Sequence, residues 1–256
     1  MSGFRILLRK ELLEAWRTRR LPVVAVLFLV VGIISPLTAK YLPEILTATL
    51  GDQLPIPLPT PVAADALAQL QKNLGQLGAL AAIALAMGSV AGELDRGTAA
   101  LVLAQPATRA AFLAAKLVAI ALVLAVSVAT AMAVAWIYTA ILFEPLPIGG
   151  WLAMAALSWL ALLAWASLTF LASAATGSTT AAAGLGFVAL VVISLVSIVP
   201  VLDHLLPSGL SAPAIELASV GSVADAGAAL TAVLGTVVLI LAATIGAHLS
   251  FRAREL

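Results

Sequence analysis

Five charged side chains, Glu93, Asp95, Arg96, Arg109 and Lys116, fall within GELDRGTAALVLAQPATRAAFLAAK (92–116), between two long apolar runs. Such a group could do acid–base work, hold an ion, or form a docking surface of paired charges. Catalysis finds little to build on. The two histidines, His204 and His248, stand apart in the chain, and there is no cysteine to act as nucleophile or soft ligand. Asp203-His204 offers two neighbouring metal ligands, too few for a closed site, and reads more simply as a solvated pair. No residue is therefore assigned to catalysis, to a metal or to a cofactor. The phosphate-cradling pattern G-x-x-x-x-G-K-[ST] is missing, and none of the four lysines follows a glycine. ATP hydrolysis is not expected of this chain. A docking surface remains. Glu93 and Arg96, three apart, could also simply pair at a helix end with Gly97 as its C-cap, but that leaves Pro106 and Arg109 unexplained.

The elements that must position these charges are dictated by composition. Hydrophobic residues make up 63% of the chain and charged ones 10%, with a mean hydropathy of +1.16, against about 25% charged in soluble domains. This predicts an all-α integral membrane protein. A crossing helix needs about 20 mostly apolar residues, and six stretches qualify, near 21–40, 73–92, 116–142, 151–174, 181–201 and 226–250. The fourth and fifth are divided by SAATGSTTAAAG (173–184) within a run, 145–202, that has no charge at all. The chain divides into a basic segment, 1–20, and one six-span domain, 21–256. The first apolar run follows twenty basic-rich residues and reads as a retained signal-anchor.

Lysine and arginine set the orientation. With six spans, one side holds Arg5, Arg9, Lys10, Arg17, Arg19, Arg20, Arg96, Arg109, Lys116, Arg252 and Arg254, which is 11 of the 13 basic residues. The other keeps Lys40 and Lys72. Both termini are expected to be cytoplasmic. The spans are free of charged residues apart from Lys40 at the end of the first and Lys116 at the head of the third, and His248 is the one imidazole near their ends, which gives an ion relay little to use.

Residues 4–20 (FRILLRKELLEAWRTRR) predict an amphipathic interfacial helix. Phe4, Leu7, Leu8, Leu12, Ala15 and Trp16 share a broad face, Ile6 and Leu13 spoil it, and Arg9, Lys10 and Arg17 turn toward lipid phosphates. Pro22 marks the turn into the membrane. Between the first two spans, Pro55, Pro57, Pro59 and Pro61 favour an extended path, after which a helix starts near Asp65. Trp136, Tyr138 and Trp151 read as interfacial anchors. Ser158, Ser173 and other hydroxyls within the spans can bond within a helix or across to another. Finally, VLDHLLPSGLSAPAIELASV (201–220) is too interrupted for a span and too apolar for a plain loop.

In the segment that opens this section, Gly92 and Gly97 end the second span. Thr98 is placed to N-cap a short helix, 99–104, which presents Leu101, Val102 and Leu103. Pro106 suits the first turn of the next helix, which carries Arg109 and Lys116 into the third span. A short helix between two crossing ones transmits force from whatever grips it. The order Gly92, Glu93, Arg96, Gly97, Thr98, then Pro106, Arg109 and Lys116, resembles permease subunits of the ABC-2-type exporter superfamily. AAAGLGF (181–187) and HLLPSGLSAPAIELAS (204–219) extend the resemblance over nearly the whole chain.

The resemblance implies that 98–105 is a cytoplasmic coupling helix seated on a separate ATPase subunit, with Glu93, Arg96, Gly97, Thr98, Leu101, Pro106 and Arg109 as the coupling residues. It implies a short outer re-entrant region before the last span, with Pro207, Gly209 and Pro213 at an outer gate, whose backbone at that depth must be buried in protein. It further implies ATP and Mg held by the partner, a second permease copy or a related permease, residence in the cell's inner membrane, and no nucleic acid. The rival readings are an ion-coupled secondary carrier and a non-transporting membrane scaffold.

Overall fold

The computed structural model describes residues 2–50, 60–97 and 108–253. Among them every regular element is helical, and six helices are long and apolar enough to cross a bilayer. The chain is a multi-pass membrane protein. Helix α1 (Ser2–Arg17) turns at Thr18–Arg19 into α2 (Arg20–Leu50), the first span. The elbow is Arg19, held at φ 60°, so Pro22 lies inside the first turns of α2 and does not form the corner. At 31 residues, α2 runs well past the expected end at 40 and contains Pro36 and Pro43.

The second span is built from pieces. Helix α3 (Ala63–Asn73) starts where the Asp65 carboxylate accepts the Val62 N–H at 2.9 Å. A π turn, Leu74–Gly78, leads into α4 (Ala79–Met87). The chain then breaks at 88–90 before α5 (Ala91–Asp95). A broken helix at membrane depth needs substitute partners for its backbone. Ser173, from the fourth span, supplies them: its Oγ accepts the N–H groups of Val90 (3.3 Å) and Ala91 (3.0 Å) and donates to the Met87 carbonyl (2.8 Å). Most other span hydroxyls bond back within their own helix, as Ser127 does to Val123 and Thr169 to Trp165.

The third span, α6 (Arg109–Leu142), packs along α2. The fourth, α7 (Ile148–Thr176), and the fifth, α8 (Thr179–Val196), form a hairpin whose connection is only Gly177 and Ser178. The polar stretch expected to separate them is thus mostly helical. Gly177 ends α7 in the left-handed conformation, and Ser178 caps α8 by accepting the Ala181 N–H. The fifth span stops at Val196, short of 201, because Pro200 cannot continue the ladder.

After α9 (Pro200–Asp203), a 3-10 turn (Pro207–Leu210) and α10 (Ser211–Val220) fold back onto α7 and α3. Pro207, Gly209 and Pro213 are all buried. The approach is close enough that a Cβ on Gly150 would run into the Leu217 carbonyl. The last span is α11 (Ala226–Arg252), capped by Asp225.

The second span is the most enclosed, with 61% of its apolar window buried, against 11% for the fifth and 17% for the sixth. Phe28, Leu70, Phe112, Leu124, Met154 and Phe170 are among the bundle's largest fully buried side chains. Lipid is as apolar as these side chains, so close packing and hydrogen bonds hold the bundle, with little hydrophobic drive between helices. Trp151 belongs to that core and is no interfacial anchor. It is 5% exposed, and its indole N–H donates to the Met132 carbonyl at 3.0 Å. Trp136 is half-buried and bonds the Leu146 carbonyl.

Candidate coupling site

Helix α1 lies against the head of the third span, beside the end of the second. Its sequence explains how. Phe4, Leu7, Leu8 and Ala15 pack on the protein core, while Ile6, Leu13 and Trp16 form a second, exposed apolar stripe. The two residues that spoiled a single-faced pattern therefore belong to a face of their own. Arg9 and Arg17 are exposed, in keeping with a solvent- or headgroup-facing side.

Lys10 is different. Its ammonium turns inward to Glu93, with Nζ 2.7 Å from Oε1 and 3.2 Å from Glu11 Oε1. Lys116 joins from α6, 2.8 Å from the same Glu93 oxygen and 3.0 Å from Glu11. Lys116 lies two turns inside its helix and is 3% exposed. Glu14 stands 3.9 Å from Lys10 and 4.0 Å from Arg20 at the edge. Two ammonium groups thus alternate with two carboxylates across three elements: α1, the end of the second span and the start of the third. Burying one such charge alone would be prohibitive; mutual pairing with charge-assisted bonds makes it tolerable. Burial by itself would lower the Lys10 pKa. The bond it donates to Glu93, with the charges of Glu11 and Glu93, outweighs that and holds it above the ordinary lysine value.

The carboxylates of Glu11, Glu14 and Glu93 come within 4.8 Å of one another, as in a cation site. Here the lysine ammonium groups supply the positive charge that such a gathering needs. Lys116 also sits 5.0 Å from the centre of the Phe112 ring. Phe112 in turn stacks on Phe251 of the last span, centroids 5.6 Å apart. One turn earlier, the Arg109 guanidinium donates to the Arg252 carbonyl at 3.0 Å. The tie therefore reaches the end of the last helix.

Of the coupling residues expected from sequence, Glu93 and Arg109 fall into this network. Arg96 lines a cavity of about 530 Å³ beside it, together with Lys10, Glu11 and Glu93. Gly97 ends α5 at φ 67°, a conformation that favours glycine. Thr98, Leu101 and Pro106, and with them the short helix, lie outside the described residues. The third span begins at Arg109 with Thr108 as its N-cap, whose Oγ1 accepts the Ala111 N–H at 3.1 Å. The helix start is thus set by a capping hydroxyl downstream of Pro106. Glu11 and the inward turn of Lys10 were not foreseen. The available signal was an acid beside Lys10 on an otherwise basic helix, and a lone Lys116 among apolar neighbours.

The sequence profile of the family described as "ABC-2 family transporter protein" matches residues 5–256. This chain belongs to that family. The chain is also similar to the "Uncharacterized transmembrane protein YxlG" of Bacillus subtilis (strain 168), with 31% identity over 146 residues. That match covers 56% of this chain and 57% of the relative's own length. For an ABC-2 family membrane protein, the cluster occupies the two helix ends that flank residues 98–107.

Proposed function

We propose that this chain is the permease subunit of an ATP-driven exporter. A separate ABC ATPase subunit holds ATP and Mg, and the chain works as a homodimer or beside a related permease. Membership of the ABC-2 family supports the class of machine. The collection of 11 of the 13 basic residues at one end supports a cytoplasmic position for both termini and for 93–116 in the cell's inner membrane. Export, in preference to import, follows the family resemblance.

The observation that carries the mechanism is the Lys10–Glu93–Lys116–Glu11 cluster. When ATP draws two ATPase subunits together, they push on residues 98–105. The displaced ends of the second and third spans are clamped to each other and to α1 by these ion pairs, so the three move as a unit. The segment 200–220, whose Pro207, Gly209 and Pro213 are buried, serves as the outer gate that yields.

The test is twofold. The tagged chain should co-purify with a subunit carrying a Walker motif. Glu93→Ala combined with Arg96→Ala should insert normally and leave ATP turnover running while transport in reconstituted vesicles falls. Unaltered flux in that variant removes the cluster from the mechanism.

A further inference from the structure

At the opposite end of the bundle from the ion cluster lies a second cavity of about 380 Å³. It is bordered by the π turn of the second span, the fourth span, the end of the fifth and the folded-back segment 207–215. Its size falls within the range of about 300–1,000 Å³ usual for small-molecule sites. Its lining mixes polar and apolar side chains. Gln71, Gln76, Ser158, Ser208 and Ser211 supply amides and hydroxyls; Leu162, Trp165, Leu190 and Ile215 supply the greasy wall.

Three features distinguish this cavity from a packing gap. Gln71 is buried at mid-wall, with its Oε1 accepting the Ser158 hydroxyl at 2.9 Å, which leaves its amide N–H₂ for another acceptor. The Ser208 Oγ is buried without a hydrogen-bond partner among the described residues, a costly state unless a ligand or water completes it. And the helix widens into its π turn, Leu74–Gly78, against this space; such turns are frequent at functional sites.

Charge narrows the occupant. No carboxylate lines the cavity among the described residues, and Lys72, its one ionic side chain, is exposed at the rim. A cationic head finds no counter-charge, and an anionic one finds its only partner in water. What remains inside is a set of neutral donors and acceptors beside an indole face. We infer that this cavity binds a single-chain amphiphile with an uncharged, hydroxyl-rich head, the head on Gln71, Ser158 and Ser208 and the chain along Leu162, Trp165 and Leu190. Its role as the outer station of the exported molecule rests on the transport reading above; binding itself does not.

The experiment uses the full chain in lipid nanodiscs, without any ATPase, titrated with a maltoside detergent brominated on its alkyl chain. Bromine quenches indole fluorescence on contact. The expected result is saturable quenching that disappears in Trp165→Phe. Gln71→Leu is a near-isosteric change after which the Ser158 hydroxyl, with its one proton, can donate to the Met154 carbonyl 2.8 Å away. It should weaken the saturable phase by about tenfold. Non-saturating quenching that is identical in Trp165→Phe overturns the site, and so does an unchanged midpoint in Gln71→Leu. Tighter binding of an equally brominated fatty acid overturns the assignment of an uncharged head. If no ATPase partner is found yet quenching saturates, the transport reading fails and the site stands.

Discussion

The two ends of this bundle solve the problem of buried polarity in opposite ways. At the end that gathers α1, the second and third spans converge on full charges, and every ammonium in the cluster meets a carboxylate within about hydrogen-bonding distance. At the far end, Gln71 and Ser158 pair as neutral groups around open space, and Ser208 is left waiting. The first arrangement pairs its opposite charges internally and is strong, so it suits a part that must hold helices together under load. The second is weaker and incomplete, so it suits a part that must accept and release something. Burial follows the same division: Lys116 is 3% exposed, whereas Lys72 at the other cavity is exposed.

That contrast can be broken most sharply by removing its strongest member. Lys116→Met should cost about 3 kcal/mol or more, since a buried carboxylate loses a partner. Adding Glu93→Gln should recover over half of the loss; equal instability of single and double variants in denaturant titrations would mean that the pairing is incidental. Next in size is Ser173→Ala, which orphans the Val90 and Ala91 amides at the break in the second span and should cost about 1–3 kcal/mol. Hydrogen exchange should speed up at those two amides and not at Leu85. At the neutral end, Gln71→Leu should change stability by less than about 1 kcal/mol, as measured by the same titrations. A large loss there would make the far cavity a structural element.

The smallest expected effect is with pH. The Lys10 pKa is raised in the folded protein, so its pairing with Glu93 is complete below the ordinary lysine value and is lost only as pH climbs through the raised one. Spin labels on Arg9→Cys and Asp95→Cys should report an unchanged separation from pH 6 to 9. The absence of native cysteines makes that labelling clean.

Much of this was legible in the residues. Uncharged runs of the right length gave six spans, and the lopsided distribution of lysine and arginine brought both ends of the chain and 93–116 together. Helix ends were less legible, because they are decided by single capping groups. Ser178 and Thr108 start helices within stretches whose composition suggested loop or continuing helix, and Pro200 trims the fifth span. Least legible were contacts between distant positions. Lys10 and Glu93 are 83 residues apart, and helical periodicity on α1 gives Lys10 to the polar face without saying what that face meets. The same holds for Ser173, one hydroxyl among many until the break at 88–90 is seen beside it.

That break has a consequence of its own. Because a side-chain hydroxyl from a neighbour, and not the helix's own ladder, bridges Met87 to Ala91, the five residues Ala91–Asp95 are articulated like a knuckle on a longer bone. Torque applied below Glu93 can swivel this terminal joint while the shaft from Ala63 to Met87 keeps its tilt, so work done at that surface reaches the far end chiefly along the unbroken third span.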